Sequence, residues 1–367
     1  MSAKPVTLPR WADLALLPAI NVGVAFLAAG LVVLAIGEQP LEATMILLKG
    51  ALGNGEGIGF TLYYTTNFIF SGLAVAVAFH AGLFNIGGEG QAMMGGIGAT
   101  IVALALGSLP GFIALPLAVL ASALTGALWA AIPGWLQARR GSHVVITTIM
   151  FNFIATALLG YLLVDVFRPS DSMEPTSRVF EAGGKLPFIH DVLNAFGLKL
   201  PKTPLNLSFV LALIACVAVW VLIYRSKLGY AIRTVGANPT AARYGGISPE
   251  RIIVIAMAIS GGLAGLMAVN EILGVQHRLL LAFTGGYGFV GIAVALMGRG
   301  HPVGICLAAL LFGVLFQGGT ELAFDKPKIT RDMIVAIQGL VILFAGALEF
   351  MFKPALARLL ASRKGEA

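Results

Sequence analysis

Three polar residues, Asn85, Glu89 and Gln91, lie among glycines in the segment AGLFNIGGEGQAMMGG at 81–96, between two apolar runs. Glycine loosens a helix and exposes backbone groups. At membrane depth, such groups are tolerated only where they are buried in protein or line a cavity. An ionisable residue in that position is a candidate for a solute or ion pathway. The alternative is a turn outside the membrane, with Glu89 solvated or capping the next helix.

A second candidate is the basic segment SKLGYAIRTVGANPTAARYGGISPERI at 226–252. Asn238 and Pro239 predict a break between two short helices, and Ser248 with Pro249 predicts the start of the next helix as N-cap and N1 proline. Small residues allow close approach to a partner, and arginines allow charge-assisted pairing. We therefore expect a docking surface, the alternative being an ordinary basic loop.

Several enzyme and metal-site classes are excluded. GYGFVG at 286–291 matches the dinucleotide pattern GxGxxG, but no strand precedes it and no acidic residue follows at the required distance. No GxxxxGK[ST] occurs, so the chain has no P-loop for ATP. Cys216 and Cys306 lie inside apolar runs without metal-ligand spacing and are interpreted as core residues. We expect no catalytic site, no metal and no cofactor in this chain.

The composition predicts that these segments sit in a membrane protein. Hydrophobic residues make up 58% of the 367 residues and charged residues only 11%, against about 25% charged in soluble domains. A soluble fold of this size has no interior for so much apolar surface. Crossing a bilayer takes about 20 apolar residues per helix, so ten helices need roughly 200 residues.

Apolar runs of about 18 residues or more predict an all-α polytopic protein with ten transmembrane helices, of which the eighth is short and rich in glycine. The predicted spans are near 14–36, 61–79, 92–109, 112–136, 144–166, 206–224, 252–273, 285–298, 303–319 and 333–352. A long polar stretch, 167–205, separates the fifth span from the sixth, and a short surface helix near 188–197 is expected within it.

Basic residues predict the orientation. With the N-terminus inside, one face holds 14 of the 24 lysines and arginines but only five of the 17 acidic residues. Because cytoplasmic loops carry the basic excess, both termini are predicted in the cytoplasm. The same asymmetry explains the net charge of +7 without any nucleic-acid partner.

An internal repeat is predicted from two glycine motifs. GGEG at 87–90 and GGYG at 285–288 are each followed by an apolar span, a proline and a second apolar span. The motifs open spans that are five crossings apart, which inverts the second copy relative to the first, as in many transporters. The predicted organisation is one transmembrane domain, 1–367, with five-helix halves at about 14–166 and 206–352, an outer loop 167–205 and a cytoplasmic loop 225–251.

Four stretches, taken in order, resemble the bacterial ATP-binding cassette (ABC) permeases of the branched-chain amino acid and ribose type. The GEGQ and ITTIM forms look most like the subfamily that imports nucleosides or simple sugars, and the resemblance covers about 60–352. The stretches are LFNIGGEGQ (83–91), ITTIMFNFIA (146–155), LGYAIRTVGANPTAARYGGIS (228–248) and GFVGIAVALMGRGHPVGI (288–305).

This resemblance implies an importer permease in the bacterial plasma (inner) membrane. It implies a second related permease, two cytoplasmic subunits that hydrolyse ATP and an extracytoplasmic substrate-binding protein as partners. The loop at 225–251 matches the segment that couples such permeases to their ATPases. The matching coupling positions are Arg233, Gly236, Asn238, Ala241, Ala242 and Gly245.

A nucleoside path needs aromatic faces and neutral hydrogen-bonding groups more than fixed charge. The candidate pathway residues are Phe84, Asn85, Glu89, Gln91, Asn152 and Phe289. Branched-chain amino acids or simple sugars are alternative solutes within the same class. An ion-coupled secondary transporter, with Glu89 as the coupling carboxylate, is the alternative from another class, and a structural scaffold is a third.

Overall fold

The computed structural model describes residues 16–330 and 333–340, together with the single positions Pro9, Ala12 and Leu343. In these ranges the chain is helical, and its only β pairings are two isolated bridges. Together with the membrane-length helices, this makes the protein an all-α polytopic membrane protein, as predicted. The helices are α1 Leu17–Ala35, α2 Pro40–Leu52, α3 Gly55–His80, α4 Gly88–Leu106, α5 Gly111–Arg140, α6 Val144–Leu162, α7 Ile189–Ala195, α8 Ser208–Arg225, α9 Lys227–Ala237, α10 Pro239–Tyr244, α11 Pro249–Ala268, α12 Tyr287–Met297 and α13 Pro302–Asp325.

Seven of the described helices are long and apolar enough to cross a bilayer. They are α3, α4, α5, α6, α8, α11 and α13, and they correspond to predicted spans two to seven and nine. Two of them continue as π-helix, α6 through Leu163–Phe167 and α11 through Val269–Gln276. These helices differ in burial. Over its most apolar stretch α3 is 83% buried, whereas α5 and α6 are 22% buried.

The remaining predicted spans differ from expectation. The first corresponds to α1, which forms with α2 a pair bent by 117° that counts as one further candidate span. The unpredicted α2 has only 13 residues and carries charges at Glu42 and Lys49. The eighth is α12, whose 11 residues extend about 17 Å and are too short to cross. Of the tenth, 333–340 is helical and the rest lies largely outside the described residues, so ten helices stay a prediction.

The chain divides into two compact units, 1–54 with 314–367, and 55–313. In the first unit, Lys326 forms ion pairs with Glu38 at 3.3 Å and with Glu42 at 2.9 Å. In the second unit, α5 and α11 pack closely at Gly261 and Gly265, whose GxxxG spacing lets two helix backbones approach. The Ser122 hydroxyl of α5 donates a hydrogen bond to the Gly265 carbonyl at 2.7 Å.

The two short helices predicted in the basic segment are present as α9 and α10. The Ser226 side chain accepts a hydrogen bond from the Gly229 amide at 2.9 Å and caps α9, while Asn238 Oδ1 accepts from the Ala241 amide at 3.0 Å and caps α10. Ser248 is the N-cap of α11, but its hydroxyl donates to Glu250 at 3.0 Å instead of capping the backbone.

The polar stretch between α6 and α8 is ordered, and it contains the predicted surface helix as α7. Backbone hydrogen bonds fasten it to the end of the π-helical segment. The Phe180 amide donates to the His277 carbonyl and the Leu186 amide to the Leu273 carbonyl, both at 2.8 Å. Side chains add to this attachment, because the Ser177 hydroxyl accepts a hydrogen bond from the Leu279 amide at 2.9 Å, and Phe180 and Leu186 are buried.

Candidate functional site

The two glycine motifs meet in the second unit, each at the start of a helix. Gly88 begins α4 and Tyr287 begins α12. A Cβ added to Gly88 would stand 3.3 Å from the Gly288 carbonyl oxygen, and one added to Gly288 would stand 2.5 Å from the Glu89 nitrogen. Backbone therefore packs directly on backbone at this junction, which requires glycine at both positions.

The carboxyl group of Glu89 is buried at this junction. Glu89 is 4% exposed, and the Thr284 side chain and the Gly288 backbone lie beside its carboxyl group without forming well-aligned hydrogen bonds to it. A Cβ added to Gly286, just before α12, would stand 3.8 Å from its Oε1. Helix N-termini carry partial positive charge, so the starts of α4 and α12 favour a carboxylate here. Burial excludes the solvated-turn alternative.

The side-chain amides of Asn85 and Gln91 are hydrogen-bonded to each other and to neighbouring groups of the protein. Asn85 Nδ2 donates to Gln91 Oε1 at 2.9 Å and to the Ser260 hydroxyl at 2.8 Å. Asn85 Oδ1 accepts from Gln91 Nε2 at 3.0 Å and from the Gly87 amide at 2.9 Å. These bonds hold the turn before α4 against α11. They also occupy the hydrogen-bonding groups of two side chains that were predicted to contact solute.

Asn152 fixes the same turn from the side of α6. Its Oδ1 accepts from the Gly90 amide at 2.9 Å, and its Nδ2 donates to the Ile86 carbonyl at 3.0 Å. Asn152 is 8% exposed. The structure thus brings Asn85, Gln91 and Asn152 together around the backbone that presents Glu89.

The two predicted aromatic pathway residues are more open. Phe84 is 36% exposed and its ring centroid lies 5.1 Å from that of Phe79. Phe289, in the first turn of α12, is 48% exposed. Both rings are accessible to a solute or a partner, in contrast to the buried amides.

The predicted coupling residues separate into exposed and packed groups. Arg233, Asn238, Ala241 and Gly245 are exposed, and they share the surface of α9 and α10 with Tyr244, which is 91% exposed. The Arg233 guanidinium lies 5.7 Å from the centre of the Tyr224 ring.

Ala242 and Gly236 face inward. Ala242 is fully buried. Gly236 packs on the turn after α3, because an added Cβ would stand 2.9 Å from the Gly82 nitrogen and would overlap the His80 carbonyl oxygen. That turn leads directly to Asn85, so α9 contacts the segment that holds the pathway candidates.

Sequence reasoning missed a second buried polar group in the same unit. Tyr63, Asn67, Asn206, Asn270 and Glu271 are joined by hydrogen bonds and are at most 8% exposed. The available signal was the pair Asn270–Glu271, which interrupts an otherwise apolar run. Both residues lie inside the predicted span 252–273, but no role was predicted for them because their partners are distant in sequence.

Broken helices and buried polar groups inside a bundle of membrane-length helices are the architecture of a polytopic transport protein. The chain belongs to the family described as the permease component of the branched-chain amino acid transport system, whose model matches residues 57–346. This match covers nearly all of the seven described membrane-length helices and the basic segment at 226–252.

Three relatives match along most of their length. The guanosine ABC transporter permease protein NupP of Bacillus subtilis is 37% identical, covering 92% of this chain and 95% of the relative. The nucleoside ABC transporter permease protein NupB of Lactococcus lactis is 33% identical, covering 96% of each. The glucose ABC transporter permease protein TsgB13 of Haloferax volcanii is 35% identical, covering 94% and 90%. No solved structure matches the chain.

Proposed function

We propose that this chain is the permease subunit of an ATP-driven importer whose solute is a nucleoside. The observation that carries this proposal is the full-length similarity to NupP and NupB, which are guanosine and nucleoside permease proteins. The similarity to the glucose permease TsgB13 supports a simple sugar as the second candidate solute. No relative favours an ion-coupled carrier, and ATP hydrolysis belongs to separate subunits.

Partners follow from the same proposal. The chain pairs with a second, related permease, two cytoplasmic ATPase subunits and an extracytoplasmic binding protein. The exposed face of α9 and α10, with Arg233 and Tyr244, supports the ATPase contact. Exposed arginine and tyrosine suit a protein interface because both are enriched there.

The proposed setting is the bacterial plasma membrane, with about ten membrane helices, of which α12 is too short to cross by itself, both termini inside and two inverted halves. The basic excess on one face supports the orientation. The meeting of the two glycine motifs at paired helix starts supports the repeat, since equivalent positions of inverted repeats adjoin near the centre of such folds.

In the proposed mechanism, ATP-driven movement of the ATPases displaces α9, and Gly236 transmits the displacement to the turn at 80–82. That turn continues into the cluster of Asn85, Gln91 and Asn152, which positions Glu89. Phe84 and Phe289 offer aromatic faces to the solute, and the Glu89 carboxyl offers acceptors to its N–H and O–H groups. The amide cluster thus acts by positioning.

The test is uptake by proteoliposomes that contain the complete transporter, that is, this chain, its second permease, the ATPases and the binding protein. We expect ATP-dependent uptake of radiolabelled guanosine. Uptake of glucose without guanosine would replace the proposed solute with the second candidate. Uptake driven by an ion gradient in liposomes with this chain alone would refute the importer class.

A further inference from the structure

A continuous chain of hydrogen-bonded side chains links three helices of the second unit. Asn206, just before α8, donates to Asn270 Oδ1 at 2.9 Å. Asn270 donates to Asn67 Oδ1 of α3 at 2.9 Å, and Asn67 donates to Glu271 Oε1 at 2.6 Å. The Tyr63 hydroxyl donates to the same oxygen at 2.6 Å. We call these five residues the polar chain.

An irregular helix presents two adjacent residues of the polar chain to the same neighbour. In a regular α-helix, consecutive side chains point about 100° apart. The segment Val269–Gln276 is π-helical, and both Asn270 and Glu271 bond to α3. Single π-helical turns within α-helices are frequent at functional sites.

Glu271 has neutral partners. Its carboxyl oxygen accepts from Tyr63 and Asn67, and within the described part of the chain no lysine, arginine or histidine forms an ion pair with it. A buried carboxylate inside a membrane-spanning segment is costly and marks a functional position. N–H or O–H groups of a neutral ligand can replace the two protein donors, whereas a phosphate would be repelled.

Aromatic rings border the polar chain. The Tyr63 ring lies 5.1 Å from Tyr64, Tyr64 lies 6.2 Å from Tyr287, and Phe68 lies 5.6 Å from Tyr287, measured between centroids. Tyr64 and Tyr287 are partly exposed, although α3 is the most buried of the membrane-length helices. Planar heterocycles stack on such rings, and each stacked base contributes about 1–3 kcal/mol in nucleic-acid-binding proteins.

The polar chain lies far from the coupling helices. Asn67 precedes His80 by 13 positions in α3, which corresponds to about 20 Å along a helix. His80 is at the end of α3 that meets Gly236 of α9. Asn67 is near the middle of α3 (Gly55–His80), so the polar chain lies near the bilayer midplane, as do the substrate sites of many transporters.

We propose that the polar chain is a nucleoside-binding site, in which Tyr64 and Tyr287 stack on the base and Glu271 accepts hydrogen bonds from its N–H groups or from the sugar hydroxyls. Tyr63 and Asn67 hold the carboxylate in place until the ligand arrives. This inference rests on the proposed nucleoside function. The site takes neutral ligands with a planar ring and several donors, and it excludes nucleoside monophosphates.

Photolabelling with 8-azidoguanosine tests the site directly, because covalent capture records weak occupancy. The complete transporter in nanodiscs is irradiated with the probe, and labelled peptides are identified by mass spectrometry. We expect the label within 55–80 or 277–297, with guanosine competing and guanosine monophosphate not competing. The inference would be overturned if the label that guanosine displaces were confined to 84–91 or to α6. It would also be overturned if guanosine displaced no label in a transporter that takes up guanosine.

Variants separate binding from folding. Glu271→Gln and Tyr64→Ala should each lower competed labelling and maximal guanosine uptake about tenfold or more, the loss typical of one hydrogen bond to a charged group or one stacked ring. Tyr64→Phe keeps the ring and should label like the wild type. Ser122→Ala removes a buried hydrogen bond outside the polar chain and is the matched control for assembly and thermal stability.

The outcomes distinguish the two proposals. If the Glu271→Gln and Tyr64→Ala complexes assemble normally and are both labelled as strongly as the wild type, the proposed binding site is wrong. The proposed function is unaffected by that result. The binding site would also be wrong if the complex takes up guanosine but carries no guanosine-displaceable label in α3 or α12. A wild-type complex that imports glucose and no nucleoside would overturn both proposals.

Discussion

Gly236→Ala is the sharpest test of how α9 communicates with the membrane segment. The added Cβ would stand 2.9 Å from the Gly82 nitrogen, closer still to the His80 carbonyl oxygen, and both are backbone atoms. Since favourable contacts begin near 3.5 Å, α9 must move by about 1 Å from the turn at 80–82. Overpacking of this kind costs about 1–3 kcal/mol, equivalent to roughly 5- to 150-fold in an equilibrium.

We expect this variant to assemble with its ATPases and to hydrolyse ATP, but to take up guanosine at least about fivefold more slowly. The assay compares uptake and ATPase activity in the same proteoliposomes, so that loss of coupling is distinguished from loss of assembly. Gly160→Ala is the matched control, because a Cβ at Gly160 of α6 meets no atom within 4 Å. Wild-type uptake by Gly236→Ala would refute a transmission route through this contact.

Three further predictions concern residues with different roles. Asn152→Ala leaves a buried amide and a buried carbonyl without their partner, so thermal unfolding of the purified complex should shift by about 1–3 kcal/mol to lower stability; an unchanged midpoint would contradict a positioning role. Glu89→Gln removes a buried carboxylate without well-aligned hydrogen bonds, so stability should hold or rise while guanosine uptake falls about tenfold; lower stability with full uptake would point to a structural role instead. The thiols of Cys216 and Cys306, 3.1 Å apart, should form a disulfide between α8 and α13 on treatment with copper phenanthroline, detected as a loss of 2 Da in the intact mass; two thiols still open to alkylation would refute their proximity.

The long helices were predictable because their signals are local. A run of apolar residues sets each span, and a break such as Asn238–Pro239 ends one helix and begins the next. The short α2 was not predictable from apolar length, because Glu42 and Lys49 interrupt its run. Hydropathy likewise does not distinguish the π-helical turn from a regular helix.

The candidate site was predictable in its residue types but not in their roles. Glycines around Glu89 indicated a special segment, and its burial confirms that it is not a solvated turn. The partners that use up Asn85 include Ser260, 175 positions away, and no local pattern encodes such a pairing. For the same reason, no role was predicted for Glu271, although it lies inside the predicted span 252–273: its partners Tyr63 and Asn67 lie more than 200 positions earlier.

The backbone attachment of the stretch between α6 and α8 affects how such a protein diversifies. Backbone amides and the buried side chains of Phe180 and Leu186 hold this stretch in place, so its exposed side chains can change without loosening it. In the proposed transporter, that surface can change to suit a different binding protein while the helices beneath keep their sequence. Recognition of the binding protein and passage of the solute can then evolve separately.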